Sequence, residues 1–75
     1  MNREPITDLN NLPFGYKLQA VRRARGLTVR QLSELSGVST GQISYIENGR
    51  SNPSIATLEI LCKTLNIDSS IILDF

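Results

Sequence analysis

Apolar residues recur at helical spacing in four stretches of this chain, and a short fifth stretch closes it. Phe14, Leu18 and Val21, with Arg25 in register, keep one helical face as far as Gly26. Pro13 suits the first turn of that helix, where its missing amide would be unpaired anyway. Val29, Leu32 and Ser36 follow at i, i+3 and i+7, predicting a helix from about Val29 to Ser36. Ile43 and Ile46 mark the inner face of a third helix, Thr40 to Glu47. Asn48-Gly49-Arg50-Ser51-Asn52-Pro53 is a turn-forming cluster that reverses the chain. Ser54 then caps a fourth helix whose stripe is Ile55, Leu58, Leu61, Cys62 and Leu65, with Asn66 closing it. Asp68 or Ser69 starts a last short helix carrying Ile71, Ile72 and Leu73. Residues 1–12 show no sustained period and read as an N-terminal arm, flexible in part, ahead of a single domain over residues 13–75. The predicted fold is all-α, a compact five-helix bundle.

The junction between the second and third helices is the most specific local signal. Thr28 followed by Gln31 matches a capping box, in which each side chain satisfies the other residue's free amide. Gly37 ends the second helix, because the position just past a helix end often needs a positive φ. Ser39 can cap the third helix, with Val38 packed under the corner. A link this short forces a steep crossing, and two such helices cannot bury both apolar faces alone. The remaining helices must cover them.

Seventy-five residues allow one modest core. No stretch has the length and apolarity of a membrane span, and the polar N-terminal segment with Glu4 and Asp8 has no signal-peptide pattern. A single cysteine, Cys62, excludes an internal disulfide framework and fits a reducing cytoplasm; on the buried stripe it reads as a small core residue. Enzymatic chemistry is not expected. There is no histidine, no glycine-rich phosphate loop, no suitably paired acids, and no base beside the cysteine. No metal, cofactor or small-molecule ligand is implied. The net charge is only +1, but its distribution is uneven. Between Tyr16 and Pro53 stand Lys17, Arg22, Arg23, Arg25, Arg30 and Arg50 against Glu34 and Glu47, a local excess of +4 on the segment that holds the helix pair.

The ordered set Arg-Ala-Arg-Gly-Leu-Thr at 23–28, Gln-Leu-Ser at 31–33, Gly-Val-Ser at 37–39, Ile-Ser-Tyr-Ile-Glu-Asn-Gly at 43–49, Asn-Pro-Ser at 52–54 and Leu-Asn-Ile-Asp at 65–68 resembles the phage repressor and Cro type of helix-turn-helix domain, also called XRE-like. The resemblance runs from about Pro13 to Leu73. It implies a lambda-repressor-like bundle of five helices and a sequence-specific, double-stranded DNA-binding regulator of transcription, read as a repressor, with the helix at 40–47 in the major groove. It also implies that Arg22 and Glu47 form a structural ion pair, as an arginine of the first helix and a glutamate ending the third do in members of the family. A guanidinium gripping a carboxylate in two places would lock those helices together.

The base-reading positions implied are Thr40, Gly41, Gln42, Ser44 and Tyr45. Thr40 and Tyr45 can bond or touch base edges, and Gln42 carries the amide best suited to adenine. Gly41 departs from the family pattern, offering close backbone approach or room for a thymine methyl. No arginine lies on this face, so the commonest guanine contact is missing and DNA shape takes a larger share of recognition. Phosphate contacts are expected from Thr28, Arg30, Asn48, the Gly49 amide, Arg50 and Ser54, groups that flank the helix pair.

Ile60, Ile71, Ile72 and Phe75 form an apolar set near the carboxyl end, where related repressors pair about a two-fold axis. A homodimer on the last two helices is expected, with recognition helices about 34 Å apart on a near-palindromic operator. The competing reading is a protein-binding module, an antitoxin or an adaptor, in which DNA binding is secondary.

Overall fold

The computed structural model describes residues 14–50 and 53–68, which form four helices: α1 (Phe14–Ala24), α2 (Val29–Ser36), α3 (Thr40–Glu47) and α4 (Ile55–Thr64). The expected N-terminal arm and the fifth helix with Ile71, Ile72 and Leu73 lie outside the described residues, so four of the five expected helices are seen.

The helix ends follow from short-range hydrogen bonds. At the start of α2 the Thr28 hydroxyl accepts from the Gln31 amide at 3.0 Å, while Gln31 Oε1 accepts from the Thr28 amide at 2.9 Å. Both halves of the expected capping box are therefore present. α2 stops at Gly37, whose φ of 82° lets its amide turn back to the Ser33 carbonyl at 2.8 Å. Ser39 caps α3 through the Gln42 amide at 3.1 Å. α1, α3 and α4 all close with paired return bonds of the Schellman type; in α4 the amides of Asn66 and Ile67 reach the carbonyls of Lys63 and Cys62, each at 3.0 Å. Asn66 ends the helix as expected, at φ 60°.

The core comprises Leu18 of α1, Leu32 of α2, Val38 of the turn, Ile43 and Ile46 of α3, and Leu58, Leu61, Cys62 and Leu65 of α4 and its cap. Phe14, Val21, Leu27, Val29 and Ile67 pack around it, half-buried. α3 packs against both α1 and α2, and α2 also packs on α4. α2 and α3 thus rest on the helices that precede and follow them in the sequence. Ile55 does not join the stripe of α4 as expected. It is 56% exposed, because it sits in the first turn of the helix, where the register is right but no described element covers it.

Cys62 is 2% exposed, and burial pushes its thiol above the usual range, with the negative charges of Asp68 and Glu59 adding to the rise. The folded state therefore holds the thiol proton more tightly than the unfolded one. Stability from this group is complete below the ordinary thiol value near 9.0 and is lost as pH climbs from there through the folded value. At neutral pH a thiol reagent should label Cys62 at the rate of opening of the core, far slower than in denaturant. Labelling of native protein at the denatured rate would show that the α4 stripe is not closed.

Candidate nucleic-acid interface

One side of α3 is sealed and the other is open. Ile43, Ile46 and Glu47 are buried, whereas Thr40, Gly41, Gln42 and Tyr45 are exposed and Ser44 is half-buried. All five residues expected to read bases therefore lie on one short helix, with no charged side chain among them.

Besides the core contacts of Ile43 and Ile46, a single guanidinium ties this helix to two other parts of the chain. Arg22 Nε donates to Glu47 Oε2 at 2.7 Å and its Nη2 donates to Glu47 Oε1 at 3.0 Å, while its Nη1 donates to the Leu27 carbonyl at 2.7 Å. Arg22 is 7% exposed and Glu47 2%. The fork of Arg22 thereby ties α1 to the last residue of α3 and to the strand of chain that enters α2. The hydrogen bonds to Glu47 raise the Arg22 pKa against the opposing effect of burial, so the guanidinium stays charged wherever the fold persists.

Gly15 sets how closely α1 approaches. A Cβ at this position would collide with the Ile46 carbonyl oxygen and press on the backbone of Glu47. Neither Gly15 nor Arg25 was singled out for this in the sequence. A glycine inside a helical pattern was an available signal for the first. Arg25 carried no comparable signal: its Nε donates to the Leu65 carbonyl at 2.8 Å and its Nη2 to the Asn66 carbonyl at 3.3 Å, clamping the end of α1 to the end of α4. A cation there meets the orphan carbonyls and the negative end of the α4 dipole.

The expected phosphate contacts separate into committed and available groups. The Gly49 amide is committed, donating to the Ile46 carbonyl at 3.1 Å in the closure of α3. A phosphate oxygen reaching this amide would have to share its proton with that closing bond. The Ser54 hydroxyl accepts from the Thr57 amide at 3.1 Å and donates to the Thr57 hydroxyl at 3.0 Å, so its proton is also engaged. Thr28 and its own amide serve the α2 capping box. Arg30 lies beside Glu34 at 3.3 Å on the open surface, a pairing weak enough to exchange for a phosphate. The side chains of Asn48 and Arg50 are exposed and, among the described residues, have no hydrogen bond or ion pair. Lys17 is a further correction to the charge reading, which counted it with the basic excess of the segment. It is 4% exposed and so contributes little to a surface patch.

Ile60, expected at a dimer interface, is 47% exposed on α4; Ile71, Ile72 and Phe75 lie outside the described residues. No described helix is long and apolar enough to cross a membrane.

Comparison with known proteins bears on the arrangement as a whole. The chain is 51% identical over 55 residues to the HTH-type transcriptional repressor RghR of Bacillus subtilis, a match covering 72% of this chain and 41% of that protein. It is 39% identical over 61 residues to the immunity repressor protein of Bacillus phage phi105, covering 81% of this chain and 42% of the repressor. The chain thus spans about two-fifths of the length of these relatives. Among solved structures, the master regulator for biofilm formation SinR in complex with DNA superposes with a TM-score of 0.76 at 32% identity, over 81% of this chain and 98% of that one. The restriction-modification controller protein C.AhdI from Aeromonas hydrophila also superposes with a TM-score of 0.76, at 30% identity over 79% of this chain and 89% of its own. Residues 18–72 match the helix-turn-helix family HTH_3, and the chain belongs to that family.

Proposed function

We propose that this chain is a sequence-specific, double-stranded DNA-binding unit of a transcriptional regulator, acting as a repressor in the cytoplasm and carrying no catalytic activity. The observation that supports it best is the two-faced α3. Its inner face is buried and anchored by the Arg22–Glu47 pair, and its outer face is uncharged, polar and open. A rigidly held helix with a small polar outer face fits the major groove, and the flanking Arg30, Asn48 and Arg50 suit phosphate oxygens. Pairing through Ile60, Ile71, Ile72 and Phe75 would present two such helices to a near-palindromic site, with half-sites about 34 Å apart. Sedimentation of the chain at high micromolar concentration should show the dimer.

Selection from random duplex DNA tests the reading directly. A consensus with two inverted half-sites is expected. No enrichment, together with a tightly co-purifying protein partner, would turn the interpretation to an adaptor or antitoxin. On the selected site, Arg50→Ala should weaken binding to all sequences and flatten the dependence of log K on log salt by about one unit. An unchanged salt slope would remove Arg50 from the phosphate contacts.

A further inference from the structure

We propose that Gly41 is a specificity-determining residue and that its missing side chain forms, with Tyr45, a notch for the 5-methyl group of a thymine. The proposal rests on the placement of α3 in the major groove given above.

The chain has five glycines, and four have a reason inside the fold. Gly26, Gly37 and Gly49 end helices at φ between 71° and 82°, and Gly15 lies against the Ile46 carbonyl. Gly41 has no such reason. Its φ is not in the left-handed region, and a Cβ built on it meets no described residue within 4 Å. It sits in the first turn of an eight-residue helix, where glycine weakens the helix relative to alanine. Among the described residues nothing calls for a glycine here, and the open backbone is left for a ligand to approach.

The neighbours define the shape that results. Tyr45 stands one turn further along on the same face and is 59% exposed. Helical side chains lean toward the N-terminus, so the ring borders the surface over Gly41. Ser44, small and half-buried, leaves the opposite margin low. The floor is bare backbone, and an exposed aromatic side chain lies one turn along the same face. Such a hollow supplies no charge and no side-chain donor at its base, so it suits an apolar projection. On the major-groove edge of a base pair that projection is the thymine methyl.

The test uses the duplex selected by the wild-type chain, with each thymine replaced singly by deoxyuridine, which removes that methyl and nothing else. Wild-type protein should lose about fourfold in affinity at one thymine per half-site, the worth of one buried carbon. Gly41→Ala should melt no lower than wild type, bind the intact site about fivefold or more weaker, and no longer distinguish thymine from uracil at that position. Gly41→Ser should behave alike. If Gly41→Ala keeps both wild-type affinity and the wild-type thymine preference, or if wild type is indifferent to every replacement, the notch is wrong while the groove placement stands. If wild type selects no sequence at all, the groove placement falls, and the notch with it.

Discussion

Replacing Arg22 with alanine is expected to lower the unfolding free energy by about 3–5 kcal/mol, the range for breaking a buried ion pair from one side. Three hydrogen bonds disappear together: two to the Glu47 carboxylate and one to the Leu27 carbonyl. The larger part of the loss comes from what remains, a carboxylate 2% exposed with no counter-charge, rather than from the attraction itself. The total stability of a small domain is about 5–15 kcal/mol, so the variant should be largely unfolded at modest denaturant concentrations. Urea titration followed by circular dichroism measures this. Removing both partners, as Arg22→Met with Glu47→Leu, should cost clearly less than Arg22→Ala alone, because no unpaired charge is left. A loss below about 1 kcal/mol for the single variant, the range of a surface pair, would mean that the pair is not buried as described.

Gly15→Ala is expected to be destabilising by about 1–3 kcal/mol even though alanine is the better helix former by about 1 kcal/mol. The added methyl meets backbone, the Ile46 carbonyl oxygen, which cannot rotate away as a side chain would. Relief requires α1 to lift from the end of α3. That motion lengthens the contact between Arg22 and Glu47 and tilts α3, so affinity for the selected DNA should fall beyond what the loss of folded protein explains. Melting curves and DNA titration of the fully folded fraction separate the two effects. An unchanged or raised melting temperature would refute the close packing of α1 on α3. Gly41→Ala is the natural contrast, since there the same substitution meets open space.

The two glycines illustrate how much of this protein could be read before its structure. α2 and α3 have the boundaries expected of them, because the signals at their ends act within three or four residues. Thr28 and Gln31 bond each other, Ser39 meets the Gln42 amide, and Gly37 supplies a left-handed turn. The Arg22–Glu47 pair is 25 residues apart in sequence and came from family resemblance, since no local spacing connects these positions. Ile55 followed the stripe faithfully and is nevertheless exposed, because periodicity defines a face without saying how far the neighbouring helices extend along it. Charge was the least legible quantity. The six cations of the central segment looked equivalent, yet Arg22 and Lys17 are buried, Arg25 is spent on the carbonyls of α4, and Arg30 sits beside Glu34.

The sequence by itself determined where the helices start and stop, which residues form the turn, and which face of α3 is polar. Each of these depends on hydrogen bonds and side-chain directions that close within about one turn. Tertiary structure decided the rest: that α1 approaches α3 closely enough to require Gly15, that one guanidinium ties α3 to α1, and that Arg25 clamps the end of α1 to the end of α4. Those outcomes depend on burial and on partners 20 to 40 residues away. Chain-distant neighbours set the cost of an unpaired charge or an added methyl, and no local pattern records who those neighbours are.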